Sequence, residues 1–146
     1  TYVALHGFRD LFDQKQAQYA ARFPSYAHPN FADPYRTRSF RSLREIIQTS
    51  LARNLDLTLI IYPYHAWVMD LLHQNGLWRS FENWKRALVR VVTELDASHR
   101  IRIVDFSGYN TYTTERVPVP GDTVDLITIV LGPSAALAMF SAAAKR

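Results

Sequence analysis

The sequence contains no cysteine, which excludes disulfides, thiolate nucleophiles and cysteine-ligated metals. Its five glycines build neither a glycine-rich phosphate loop nor a Gly-x-Ser-x-Gly nucleophile turn. Histidine is scarce as well, with five residues and none after His99. His65 and His73 lie eight apart with Met69 between them, and no second cluster supplies further ligands, so neither a metal nor a cofactor is expected. No basic segment followed by an apolar one stands at the front, so no secretory signal is visible.

Acidic residues are the minority, 13 against 17 basic ones, and 14 of the basic residues are arginine. Arg36, Arg38, Arg41 and Arg44 crowd into nine positions without an acid among them. Arginine forks suit phosphate oxygens, yet no nucleic-acid motif accompanies the cluster, so a solvated loop and helix start is the favoured reading and a nucleic-acid partner is not expected. The overall balance, 48% hydrophobic and 21% charged, is that of a globular domain of one core.

Periodicity predicts a helix over 3–23, with Leu5, Phe8, Leu11, Phe12, Tyr19 and Phe23 near helical spacing and Pro24 closing it. An irregular, proline- and tyrosine-rich connection is expected over 24–38. A second helix is predicted over 39–54, capped by Ser39, with Phe40, Leu43, Ile46, Ile47 and Leu51 as its stripe. The run LDLTLIIY over 55–62 is apolar and β-branched, as in a strand buried on both faces of a parallel sheet. A third helix follows over 65–75 with Gly76 as a left-handed stop, then a fourth over 77–98. The last carries Leu77, Phe81, Trp84, Leu88, Val91, Val92 and Leu95 on one side. IRIVDF over 101–106 reads as a second strand.

This βα rhythm predicts an α/β domain with a mostly parallel sheet and helices on both faces. The 19 residues from Leu126 to Ala144 carry no charge, the length of a membrane span. Gly132 and Pro133 interrupt them and six alanines dilute them, so a strand over 124–131 and a helix from Pro133 are expected instead. The stretch 123–146 is an atypical, alanine-rich tail.

In an open parallel sheet, ligands bind beyond the carboxyl ends of the strands. That rule singles out His65 after the first strand and Asp105, Ser107 and Asn110 after the second, as cleft-lining candidates. A histidine at a helix start serves as a base or as a cap, and Asp, Ser, Gly and Asn line a cleft or build a turn. Gly121-Asp122-Thr123 follows two prolines and reads as a loop turn. Asp70-Leu71-Leu72-His73 has the spacing of a base and its orienting acid, but mid-helix it reads as a surface pair.

Two segments together, LTLIIYPYHAWVMDLLHQNGLWRSFENWKR (57–86) and VDFSGYNTYTTERVP (104–118), resemble the later half of bacterial SGNH (GDSL-type) hydrolase-like proteins. The resemblance covers roughly 40–122. It implies a three-layer α/β/α sandwich of SGNH or flavodoxin-like type, incomplete here, with 1–146 a fragment of a larger domain. It also implies ester or acyl-group hydrolysis by a serine nucleophile, a histidine base and an orienting aspartate in a late Asp-x-x-His. Neither the serine-bearing first strand nor the late Asp-x-x-His is present, so the chain is expected to be inactive. The alternative is a non-catalytic binding or structural domain of the bacterial envelope or of polysaccharide assembly. The envelope would be reached through an upstream signal or anchor. The expected ligands are an acyl ester or a glycan, and an incomplete sheet is expected either to self-associate through its exposed edge or to have that edge covered by the N-terminal helix.

Overall fold

The computed structural model describes residues 2–26 and 31–116, with side chains from Arg9 onward. Helix α1 (Tyr2–Arg22) runs into a 3₁₀ turn (Phe23–Ser25), because Pro24 has no N–H with which to continue it. The Ser25 hydroxyl donates to the Arg22 carbonyl at 2.7 Å, satisfying one of the helix's last acceptors. A second 3₁₀ turn (Pro34–Arg36) leads into α2 (Arg38–Ala52). The cap of α2 is Thr37 rather than the expected Ser39. The turn leaves Thr37 extended, where its hydroxyl accepts from the Phe40 N–H at 3.3 Å.

Strand β1 (Thr58–Ile61) follows, then α3 (Ala66–Gln74), α4 (Trp78–Leu95) and β2 (Arg102–Asp105). The strands pair in parallel, with Thr58 opposite Arg102 and Ile61 opposite Asp105. The described residues therefore form a mixed, mainly helical α/β unit around a two-stranded parallel sheet. Both strands are shorter than the apolar runs that announce them. Each is entered through a left-handed residue, Asn54 after α2 and His99 after α4, both with φ of 54°. Gly76, with φ of 68°, makes the tight stop between α3 and α4 that an L side chain would strain.

The core lies in two clusters. In one, Tyr19 and Phe23 at the end of α1 meet Tyr64, then Val68, Met69 and Leu72 of α3, Leu77, and Phe81 of α4. In the other, Phe40 and Ile47 of α2 meet Ile61 and Ala87, Leu88, Val91 and Val92 of α4, with Leu59 and Ile103 packed alongside. The sheet thus lies against α2 and α4 by its Leu59, Ile61 and Ile103 face. The alternate residues differ from the expectation of a strand buried on both sides. Ile60 is 53% exposed, Tyr62 51% and Phe106 49%. Ile46, assigned to the buried stripe of α2, is also exposed, because the helix turns Phe40, Leu43 and Ile47 inward instead.

The predicted strand over 124–131, the helix from Pro133 and the Gly121-Asp122-Thr123 turn lie outside the described residues. Of the irregular connection over 24–38, residues 27–30 lie outside them too. No described helix is long and apolar enough to cross a membrane.

Candidate functional site

The carboxyl ends of β1 and β2 lead into two loops that meet over the start of α3. His65 is the N-cap of that helix. Its Nδ1 accepts from the Trp67 N–H at 3.4 Å, and its Nε2 lies 2.7 Å from the Glu115 carbonyl, to which it donates. A tautomer with its proton on Nε2 satisfies both contacts. Phe12 of α1 packs edge-on against the ring at 5.8 Å. Both ring nitrogens are therefore engaged by backbone.

Asp105 and Ser107 are brought together by a turn at the end of β2. Asp105 Oδ1 accepts the Ser107 N–H at 2.8 Å and the Ser107 hydroxyl at 2.5 Å. Ser107 is 1% exposed, so its hydroxyl has exchanged water for this one carboxylate. The other Asp105 oxygen faces Lys85 Nζ of α4 at 3.3 Å, and Lys85 also reaches Glu82 at 2.8 Å. Burial alone would raise the Asp105 pKa. The Ser107 hydroxyl and N–H and the Lys85 ammonium outweigh burial and hold it below the ordinary carboxylate value. Burial would likewise lower Lys85, but Glu82 and Asp105 raise it above its usual value. Lys85 is thus held as an ammonium and is unsuited to take a proton from Ser107.

Asn110 folds its own loop. Its Oδ1 accepts from the N–H groups of Tyr112 and Thr113 at 3.0 and 3.1 Å, and its amide nitrogen donates to the Gly108 carbonyl at 3.2 Å. Buried Thr113 answers it, accepting the Asn110 N–H at 2.8 Å and donating to the Gly108 carbonyl at 2.8 Å. The loop is then fastened to α3 at two further points. The Ala66 N–H donates to the Thr113 carbonyl at 2.6 Å, and the Tyr109 hydroxyl donates to Asp70 at 2.8 Å.

Sequence reasoning singled out His65, Asp105, Ser107 and Asn110 but not Lys85, which pairs with Asp105, or Thr113, which pairs with Asn110. The Asn-x-x-Thr spacing is the one signal that pointed to Thr113. Nothing in the sequence pairs Lys85 with a carboxylate twenty residues later. Asp70 and His73 do not pair with one another: Asp70 accepts from Tyr109, and His73 stacks on Trp78 with ring centres 4.2 Å apart. The arginine cluster serves the chain locally. Arg41 donates to the Tyr35 and Arg36 carbonyls, Arg44 lies over the Tyr35 ring at 5.2 Å, and Arg36 faces Asp33 at 3.8 Å.

Among the described residues no group of three or more His, Asp or Glu side chains could hold a metal ion, and no buried side-chain N or O lacks a hydrogen-bond partner. No protein family, no curated protein and no solved structure matches the chain.

Proposed function

We propose that this chain is a non-catalytic α/β module on the SGNH-hydrolase-like plan, with a mostly parallel sheet in a three-layer α/β/α sandwich, and that it acts by binding. One observation carries the reading. The residues at the strand exits that could supply a nucleophile and a base spend their polar atoms inside the fold, Ser107 on Asp105 and His65 on the Trp67 and Glu115 backbone. A serine nucleophile needs a base within hydrogen-bond reach of its hydroxyl. The base that the Ser107 hydroxyl reaches is the Asp105 carboxylate, a poor proton acceptor because, despite burial, Ser107 and the Lys85 ammonium hold its pKa below the ordinary value. Acyl esters and glycans of the bacterial envelope are the ligand classes the resemblance suggests.

The test is hydrolysis of short acyl esters, p-nitrophenyl acetate and butyrate, by the purified chain and by Ser107→Ala. The expected result is no turnover above the buffer rate in either protein and a lower melting temperature for the variant. Turnover by the chain that disappears in Ser107→Ala while the fold survives would establish a hydrolase and end the binding-only reading.

A further inference from the structure

The two edges of the sheet are not equivalent. The Leu57 and Ile61 carbonyls accept from the N–H groups of Arg102 and Phe106. In a parallel ladder the bonded residues alternate, so Thr58 and Ile60 turn their own N–H and C=O away from β2, toward the outer edge of β1. That edge carries the blunting devices of neither charge nor proline from Leu57 through Tyr62. The outer edge of β2 does carry charge, with Arg102 and Asp105 in the strand and Lys85 beside it.

Among the described residues no strand pairs with this edge, and two hollows lie in a row between α2 and β1. One, of about 430 Å³, is walled by Glu45, Ile46, Leu55, Asp56 and Leu57. The other, of about 290 Å³, is walled by Leu43, Ile60 and Trp84, with Ser39 at its lip. The residue order, early α2 with late β1 and late α2 with early β1, sets the helix antiparallel to the strand and the hollows along its length. Apolar walls dominate both. Glu45 and Asp56 stand at the first hollow, both exposed and neither in an ion pair among the described residues.

We propose that the outer edge of β1 is a docking site for an extended segment of another protein, which adds to the sheet as a strand. Its backbone pairs with Thr58 and Ile60, an apolar side chain enters the Leu43–Ile60–Trp84 hollow, and a lysine or arginine meets Glu45 and Asp56. Main-chain pairing supplies affinity and the alternate side chains supply selection. A second copy of this chain fits less well. In antiparallel pairing of β1 with itself, Asp56 meets the Pro63 end of its twin, where no base stands and proline offers no N–H.

The experiment is a fluorescence-anisotropy titration of the full chain with a labelled nonapeptide of alternating valine and threonine ending in one lysine. A second peptide has the same side chains but N-methyl groups on alternate amides. Saturable binding is expected, weakened at least tenfold by N-methylation, and at least fivefold at low salt in Glu45→Gln/Asp56→Asn. Absence of binding overturns the proposal, as does equal binding of the N-methylated peptide. So does a concentration-dependent dimer, or slow hydrogen exchange at the Thr58 and Ile60 amides of the free monomer, since either means the edge is already filled. The outcome is separable from ester turnover, because a chain that cleaved an ester could still bind the strand, and an inert one could fail to.

Discussion

Ser107 meets Asp105 twice at one oxygen, the hydroxyl at 2.5 Å and the N–H at 2.8 Å, both on Oδ1. The pair closes the turn at the end of β2, and the opposite oxygen ties that turn to Lys85 of α4. Removing the carboxylate leaves a buried hydroxyl without its acceptor and an ammonium with one carboxylate fewer. Asp105→Ala is therefore expected to cost about 2 kcal/mol in urea unfolding. Ser107→Ala removes donor and demand together and should cost less, about 1 kcal/mol. Equal losses in the two variants would mean that the hydroxyl is not dependent on this carboxylate.

Acid should loosen two loops. The Asp96 pKa is lowered, first by the Ile101 N–H and then by the Ser98 hydroxyl, which reach its oxygens at 2.6 and 2.7 Å; Asp105 is lowered as well. A carboxylate whose folded pKa lies below its unfolded one stabilises fully above the unfolded value, roughly pH 4, and loses that contribution as pH falls through the folded value. The melting temperature should drop steeply below about pH 4. In Asp96→Asn that slope should be shallower, and an unchanged slope would remove Asp96 from the account.

At the alkaline end the buried phenols act in the opposite sense. Burial pushes Tyr64 up to about 12, and it pushes Tyr19 to about 12 with help from the neighbouring Tyr64 and Tyr26. A raised folded pKa gives stability that is complete below the unfolded value of about 10 and lost as pH rises toward the folded one. Spectrophotometric titration should show a late group of tyrosines at about 12 that coincides with unfolding. Tyr64→Phe should remove part of the late group. A single uniform titration would show that Tyr64 is open to solvent.

Arg90 pins the chain ahead of α2. One of its nitrogens donates to the carbonyls of both Phe31 and Ala32, at 3.1 and 2.8 Å, while its Nε faces Glu94 at 3.9 Å. A lysine keeps the charge but lacks the planar fork that fixes the direction of each N–H. Arg90→Lys should cost about 1 kcal/mol and raise proteolytic cleavage near residue 31. Protection equal to that of the parent protein would show that the Phe31 ring, buried against Phe40, is enough to hold the segment.

Much of the fold was legible in the sequence where one interaction decided the outcome. The stripe of α4 gave Phe81, Leu88, Val91 and Val92, all buried, because an amphipathic period leaves one face to pack. Gly76 was legible as a stop because few other residues accept its φ. The cap of α2 was missed because Ser39 and Thr37 are both good caps, and the Pro34–Arg36 turn selects between them. The exposure of Ile60 was missed because an apolar run records what a strand prefers, not which neighbours lie over it. At the strand exits the residue types left cleft lining and turn building open, and the partners that build the turns were not legible. Lys85 and Thr113 reach Asp105 and Asn110 only once the chain has folded.

Trp84 packs against both core clusters from the middle of α4. The helix therefore joins two groups of elements, α1 with α3 and α2 with the sheet, whose apolar residues otherwise keep to themselves. Such a molecule need not open all at once. Its amides should fall into two exchange classes, one released when α1 lifts from α3 and one only on global unfolding. The chain has three tryptophans; with Trp67 and Trp78 replaced by phenylalanine, the indole left at the seam becomes a clock for each half of the protein.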